Sequence, residues 1–415
     1  MIIDLKNTFS KLDNRDLFFF LIVTTFPLSL IFGNLIINLF FILFAISFFI
    51  NFDKNKIYLN NKAIYLLIFF FVTLLINVFF SQSPINSFPR VLKILFIILF
   101  TVETSRIFNE YDLNKINIIF KVWLTIFCIV LIDCFFEIIF GFNTLGFYSE
   151  LPGRISSFFG EELVVGAFIY GFSLFSISYL IIQKKNNYIL LFFIFSIIII
   201  SFLIGERSNF IRLFISILIF SMLAIRVNFF YKIITFFSII GLFVGFLNFN
   251  SEYKYRYYTQ IKSLYSKNGV ENFLKNSQYG AHQTVAIKIF YEYPLFGVGI
   301  KNFRHESNKK KYEEDNVSHI RQATHPHQLH LEFLSETGFF GYLSFLIFIL
   351  SSLIIAIQNF FKEKNLYQLS GIIFIITSLL PILPSGSFLS TFSSGIFWLN
   401  FAVMIGFCKF LKNKS

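Results

Sequence analysis

Apolar and polar positions along this chain fall into blocks rather than into the one-faced patterns of a soluble fold. Stretches such as Ala63 to Ser81 and Tyr188 to Gly205 are near-continuously apolar and are bounded by short polar breaks. Each can cross about 30 Å of hydrocarbon as a helix, and none shows the two-residue alternation of a membrane barrel strand. The pattern predicts an all-α polytopic membrane protein of about 12 transmembrane helices. A first pair fills Leu17 to Phe52, broken at Gly33-Asn34, and further spans are expected at 63–81, 91–107, 115–141, 162–183, 188–205, 208–226, 229–249, 338–361, 366–383 and 387–411. One long polar segment, Asn250 to Thr337, interrupts the series. The chain therefore divides into residues 1–249 with the first nine spans, a loop 250–337 with short helices, and residues 338–415 with the last three.

Composition agrees with this division and narrows it. Hydrophobic residues make up 56% and charged residues 14%, with 65 Phe and a mean hydropathy of +0.71, more apolar material than a soluble core of this size can bury. Heavy use of Phe, Ile, Asn and Lys is what an AT-rich genome gives, so it argues for no aromatic-binding function. The net charge of +12 needs no nucleic-acid partner. Much of it is a lysine and arginine collar in the short connections, including Lys54, Lys62, Lys115, Lys184, Lys185 and Lys362, which anionic membrane lipid also favours. By the positive-inside bias that collar puts both termini in the cytoplasm and the long loop outside. No small-residue cleavage site follows the first apolar stretch, so the first helix is expected to stay as an anchor. Cys128, Cys134 and Cys408 all fall within predicted spans and read as small buried hydrophobes, with no disulfide framework for the loop.

All six histidines lie between His282 and His330, inside that loop. Imidazole is the side chain that exchanges a proton near neutral pH, so confining it to one polar stretch marks the reactive surface. His282 to Tyr291 reads as a short helix with Val285, Ala286 and Ile289 on one face. Leu295-Phe-Gly-Val-Gly follows, where Gly297 and Gly299 suggest a close backbone approach. Lys309 to Asp315 reads as a solvated tip. The run Thr324-His-Pro-His-Gln-Leu-His-Leu-Glu-Phe-Leu-Ser-Glu-Thr-Gly-Phe-Phe-Gly341 has helix punctuation: Pro326 suits a first helical position and Gly338 a stop or bend. In such a helix His327, Leu331, Leu334 and Gly338 share a stripe, with His330 on the same side; Glu332 and Glu336 read as its wet face, with the alternative that either orients a histidine.

Guanidinium groups complete the picture, because they grip phosphate oxygens in pairs. Arg154 sits in Pro152-Gly-Arg-Ile-Ser-Ser-Phe-Phe-Gly, and Arg207 in Gly205-Glu-Arg-Ser-Asn, a short turn between spans. Arg90, Arg256, Arg304 and Arg321 are further cations on the outer side. Several of these beside a histidine suggest a phosphate-bearing lipid. Other readings exist for each residue. His327 could be an ordinary surface histidine and Arg207 an interfacial anchor. His325-x-His-x-x-His offers three imidazoles but lacks the His-Glu-x-x-His geometry of a zinc peptidase, so no metal is expected. Asp133 and Glu137, four apart in a span, are what a transporter or flippase would use, although partial hydration at the outer helix end is the simpler account.

The residues also carry a resemblance. His327-Gln328, followed after nine residues by Gly338 and then Gly341, resembles the O-antigen ligase and O-antigen polymerase family, in which His is followed by Asn, Ser or Gln and later by Gly-x-x-Gly. Tyr293-Pro-Leu-Phe-Gly-Val-Gly looks like that family's Pro-Leu-x-Gly-x-Gly stretch, and Arg154 and Arg207 look like family positions. One departure stands out. Family members commonly carry an Arg just ahead of the helix before Pro-Leu-x-Gly, where this chain reads Ser277-Gln-Tyr-Gly-Ala-His-Gln; His282, Arg256 or Arg321 are the candidates to replace it.

The resemblance implies a GT-C-like membrane glycosyltransferase in the bacterial inner membrane. It would act at the periplasmic face on an undecaprenyl-pyrophosphate-linked glycan, with no nucleotide sugar, cofactor or metal. The acceptor would be lipid A–core for a ligase, the reading adopted, or another lipid-linked glycan for a polymerase. Pyrophosphate is already a good leaving group, so the chemistry needs cations for its charge and a base for the attacking hydroxyl. His327 is the expected base and Arg207 the expected pyrophosphate ligand, with Arg321, Arg154, Arg256 and His282 as further substrate contacts. Gln328, His325, His330, Gly338 and Gly341 are expected to support them.

Overall fold

A computed structural model describes residues 14–58, 61–225, 230, 241, 243–245, 247–248, 251–259, 262, 268–312, 321–381 and 383–408. Every regular element among them is helical. The helices that bear on the site are α1 (Asn14–Ile31), α2 (Asn34–Ile50), α3 (Phe52–Tyr58), α4 (Lys62–Phe79), α5 (Pro84–Glu110), α6 (Leu113–Phe140), α7 (Val165–Ile182), α8 (Asn187–Leu203), α9 (Arg207–Ala224), α10 (Gly269–Asn276), α11 (Gln278–Glu292), α12 (Leu329–Glu363), α13 (Leu366–Ser378) and α14 (Thr391–Gly406). Among the described residues α4, α6, α7, α9 and α12 are long and apolar enough to cross a membrane, and α2, α8, α13, α14 and residues 17–31 of α1 are shorter apolar helices. Most of the span expected at 229–249 lies outside the described residues; 230, 241, 243–245 and 247–248 are helical.

The polar breaks in the sequence double as helix caps. Asn61 accepts from the Ala63 N–H at 2.8 Å, Asp112 from Lys115 at 2.9 Å, Asn186 from Tyr188 at 2.9 Å and Asn365 from Gln368 at 3.1 Å. Each satisfies one of the amide donors that a helix start leaves open, which is why the helix starts could be read from the breaks. In the bundle α12 packs on α4, α14 on α5 and α13, and α2 on α5. Rings fill the seams: Phe26 stacks on Phe100 at 4.9 Å and Phe44 meets the same ring edge-on at 4.7 Å.

Three expectations need correction. α13 ends before 383 and α14 begins after 387, because Pro381 and Pro384 lack the amide hydrogen a helix requires, so the described residues of 379–390 are irregular. The long helix begins at Leu329, so His325-Pro-His327 precedes it instead of opening it. Finally, Glu332 and Glu336 are fully buried rather than on a wet face.

Candidate functional site

The Pro-Leu-Phe-Gly-Val-Gly segment is a lace that ties three elements together. Its backbone runs antiparallel to the break in α12: Val298 N–H donates to Ser335 O at 3.0 Å, Gly299 to Glu336 O at 2.8 Å, and Phe339 N–H donates back to Pro294 O at 2.8 Å. Gly338 has φ 65 and ψ −167, a region essentially reserved for glycine, and a Cβ there would sit 2.4 Å from the Leu295 carbonyl carbon. Gly297 is equally constrained, since its Cβ would lie 2.5 Å from the Glu336 carbonyl carbon. The bend and the close backbone approach read from the sequence are both present. On the other side Phe80 stacks on Phe296 at 4.0 Å, Gln82 N–H donates to Val298 O at 3.0 Å, and Ser87 Oγ donates to Ile300 O at 3.0 Å. Behind the lace, Val285, Ala286 and Ile289 of α11 form a small core with Val298, Phe303 and Tyr312.

This lace carries Lys301 to a place the sequence does not announce. Its amide donates to Glu336 Oε2 at 2.8 Å, and its ammonium bonds Ser387 Oγ and lies 3.8 Å from Glu332 Oε1. Glu332 also accepts from Ser387 Oγ and from the Phe388 amide at 2.8 Å. Glu332 lies within ion-pair distance of the buried Lys301 ammonium and Glu336 accepts from the Lys301 amide, which explains why both carboxyl groups left the wet face. A buried charge is tolerated only when paired and hydrogen-bonded.

Above them the imidazoles gather. The His327 ring lies 4.0 Å from that of His325, 5.2 Å from that of His282 in a stacked arrangement, and 4.9 Å from Tyr279. Burial, with His282 alongside, pushes His327 down to about 4; burial, with His327, Lys301, His282 and Arg304 within electrostatic reach, pushes His325 down to about 3. Both rings are therefore neutral near pH 7, the state in which an imidazole can accept a proton. His327 has φ 55, a left-handed conformation uncommon outside glycine. Its carbonyl accepts from Ser385 N–H at 2.9 Å, and Gln328 next to it caps α12 through Leu331 N–H at 2.6 Å while donating to Pro381 O at 2.7 Å. His330 does not face His327. Its Nε2 donates to the Leu379 carbonyl at 2.9 Å, which leaves Nδ1 to accept from Tyr342 OH at 2.9 Å. The loop 379–385 thus grips three consecutive parts of the histidine run.

The arginines divide into groups. Arg154 lies beside the turn that bears Arg207: Ile155 N–H donates to Ile204 O at 3.2 Å and Arg154 Nη2 is 3.8 Å from Glu206 Oε1. Arg207 opens α9 and is half-buried. Arg321 is buried, with Nε donating to Ser307 O at 3.2 Å. Arg304 is half-buried, and its Nε is enclosed without a hydrogen-bond partner. Arg256 belongs to the helical segment 255–259, and its side chain lies outside the described residues. Arg212, in the second turn of α9, was not singled out by the sequence reading. It is buried and donates to Leu383 O at 3.1 Å and Pro384 O at 3.0 Å, gripping from behind the loop that holds His327. A signal existed, because an arginine inside a predicted span marks function or an obligatory partner.

Asp133 and Glu137 are not partly hydrated but buried. Asp133 accepts from Thr144 and Ser157, and Glu137 from the Ser156 and Ser157 amides, so both anchor the segment that presents Arg154. Among the described residues no group of three His, Cys, Asp or Glu is arranged to hold a metal. The solvated tip is cross-linked where it is described, with Lys309 and Lys311 at 2.6 and 2.8 Å from Glu306; residues 313–320 lie outside the described residues.

Fold and site together define a helical membrane protein with an imidazole-centred polar site at one end of its bundle. Residues 190–346 match the family model described as O-antigen ligase, so the resemblance drawn from the motifs holds over the stretch that contains Arg207, His282, His325 and His327. No curated protein matches the chain.

Proposed function

We propose that this protein is an O-antigen ligase-like glycosyltransferase that moves a glycan from undecaprenyl-pyrophosphate to a lipid A–core acceptor at the periplasmic face of the bacterial inner membrane. In the step, an acceptor hydroxyl attacks the anomeric carbon of the donor sugar. The bond from that carbon to the pyrophosphate oxygen breaks, the new glycosidic bond forms, and the hydroxyl proton passes to His327. Undecaprenyl-pyrophosphate leaves with the electron pair and needs cations rather than a proton. Arg207 is the main pyrophosphate ligand in this reading, with Arg154 beside it and His282 and Arg256 as further contacts. Arg321, whose Nε donates to Ser307 O, is a further candidate contact, and Arg304 lies within electrostatic reach of His325.

The observation that carries the reading is His327 itself: a neutral, half-buried imidazole held in a left-handed backbone within the family-matched segment. With purified protein, lipid-linked donor and acceptor, His327→Ala should lower transfer by about 10²- to 10⁴-fold, the usual contribution of a positioned base. Full transfer by that variant would remove His327 from the chemistry. A deletion strain distinguishes the acceptors. Bare lipid A–core with accumulated lipid-linked polymer marks a ligase, and core bearing one repeat marks a polymerase.

A further inference from the structure

α11 buries one apolar face and shows another. Val285, Ala286 and Ile289 lie in the small core of the loop, yet Ile287 and Tyr291, one turn apart on the outer side, are exposed, and Tyr291 is 76% exposed. Leu295, just past the helix, is 54% exposed. A surface helix that packs by one face ordinarily presents polar residues on the other. Here the charges gather elsewhere. Glu292 pairs with Lys311, whose ammonium also lies 2.8 Å from Glu306 and 5.2 Å from the centre of the Tyr293 ring. The end of α11 thus has an ionic side and an apolar side.

The apolar side is continuous with two membrane-length helices. Leu295 and Phe296 are tied between the end of α4 and the bend of α12: the Leu295 carbonyl accepts from Phe340 N–H at 3.2 Å, and the Phe296 ring lies 4.0 Å from that of Phe80 and 5.4 Å from that of Phe340. Around this join Phe79, Phe80, Phe339 and Phe340 are all exposed. From it two exposed apolar stripes run along the helices, Val72, Ile76 and Phe79 on α4 and Leu343, Ile347 and Leu350 on α12. Tyr65 and Ile354, further along these stripes, line one open groove, so the stripes are neighbours on one side of the bundle. The surface that faces hydrocarbon along α4 and α12 therefore runs on into Leu295, with Tyr291 a few residues before it. Large apolar side chains exposed together mark a covered surface, and lipid already covers the rest of this one. Tyrosine suits the boundary between hydrocarbon and headgroups. We propose that the outer face at the end of α11, with Ile287, Tyr291 and Leu295, is seated in the membrane leaflet on the histidine side, the Glu292–Lys311 pair turned toward water. Tyr279, on the same helix, lies 4.9 Å from the His327 ring. About 18 Å of helix separates it from Tyr291, so the seat holds the imidazoles close to the lipid.

The inference depends on the chain lying in a membrane and not on His327 acting as a base. The test places the photoreactive residue p-benzoylphenylalanine singly at Tyr291, Leu295, Phe79 or Asn308 of the full-length protein, in proteoliposomes of phosphatidylethanolamine and phosphatidylglycerol. After irradiation, mass spectrometry reads lipid adducts and a denaturing gel reads cross-links between protein chains. Phe79, exposed at the end of α4, is the lipid-facing reference, and Asn308, exposed on the polar tip, is the water-facing one. Tyr291 and Leu295 are themselves exposed, so the replacement disturbs no packing. Positions 291 and 295 should give lipid adducts in yields comparable to position 79, and position 308 should give none. The same pattern should appear when His327→Ala is added, so failure of the transfer reading would leave this result standing. Lipid adducts at 79 with yields at 291 and 295 no higher than at 308 would overturn the proposal. Cross-linking of 291 and 295 to a second copy of the chain in place of lipid would also overturn it, and would make this face a dimer interface.

Discussion

His327 concentrates the chemistry because its surroundings keep it uncharged. Its imidazole is pushed down to about 4 by burial and by His282, against an ordinary value near 6.5. If it is the base, the acid limb of kcat/KM should fall near pH 4 rather than 6.5, and a pH–rate profile on the reconstituted enzyme checks this. The same depression has a stability consequence. The unfolded chain takes up a proton near pH 6.5 that the folded one refuses until about pH 4, so His327 and His325 contribute stability that is complete above pH 6.5 and is lost as pH falls through that window. His330 has both its nitrogens committed to Leu379 and Tyr342. Replacement by Phe leaves the Leu379 carbonyl and the Tyr342 hydroxyl short of a partner, which should cost about 1–3 kcal/mol of stability in a thermal melt. Transfer by the folded fraction should fall far less than in His327→Ala.

At the level of elements, the decisive object is the join between the glycine lace and the break in α12. Gly338→Ala meets both a glycine-only conformation and a backbone 2.4 Å away, so it should destabilise by about 3 kcal/mol or more in a detergent thermal melt. Gly341→Ala offers a contrast: its Cβ would meet the Thr337 side chain at 2.3 Å, in a helix that glycine does not require, and a rotamer shift can relieve part of the clash. The element that sequence reasoning underrated is the 379–390 connection. It looked like the end of one span and the start of the next. Its prolines end the helix, and its freed carbonyls and amides then become the grip on His327, Gln328 and His330.

Across the whole molecule, that grip depends on a residue far from it in sequence. Arg212 reaches from α9 to the Leu383 and Pro384 carbonyls, and Ser385 holds the His327 carbonyl, so α9 and the histidine run share one support. Arg212→Met should lower kcat about tenfold or more with a smaller change in KM, and Arg212→Lys should recover part of the loss; equal kcat in all three proteins would assign Arg212 to folding alone. The sequence by itself determined the helical membrane character, most helix starts, the glycine bend and the identity of the central histidine. Each of those follows from local facts: the length of an apolar run, a capping Asn or Asp, a position only glycine tolerates, or the spacing of a motif. What the tertiary structure alone decided is who meets whom. Lys301 over Glu332 and Glu336, His330 turned to Tyr342, Asp133 and Glu137 spent on the Arg154 segment, and Arg212 behind Pro384 are pairings between elements distant in the chain. They arise because a buried polar group must find a partner wherever the packed helices offer one, and no periodicity in the sequence records which partner that will be.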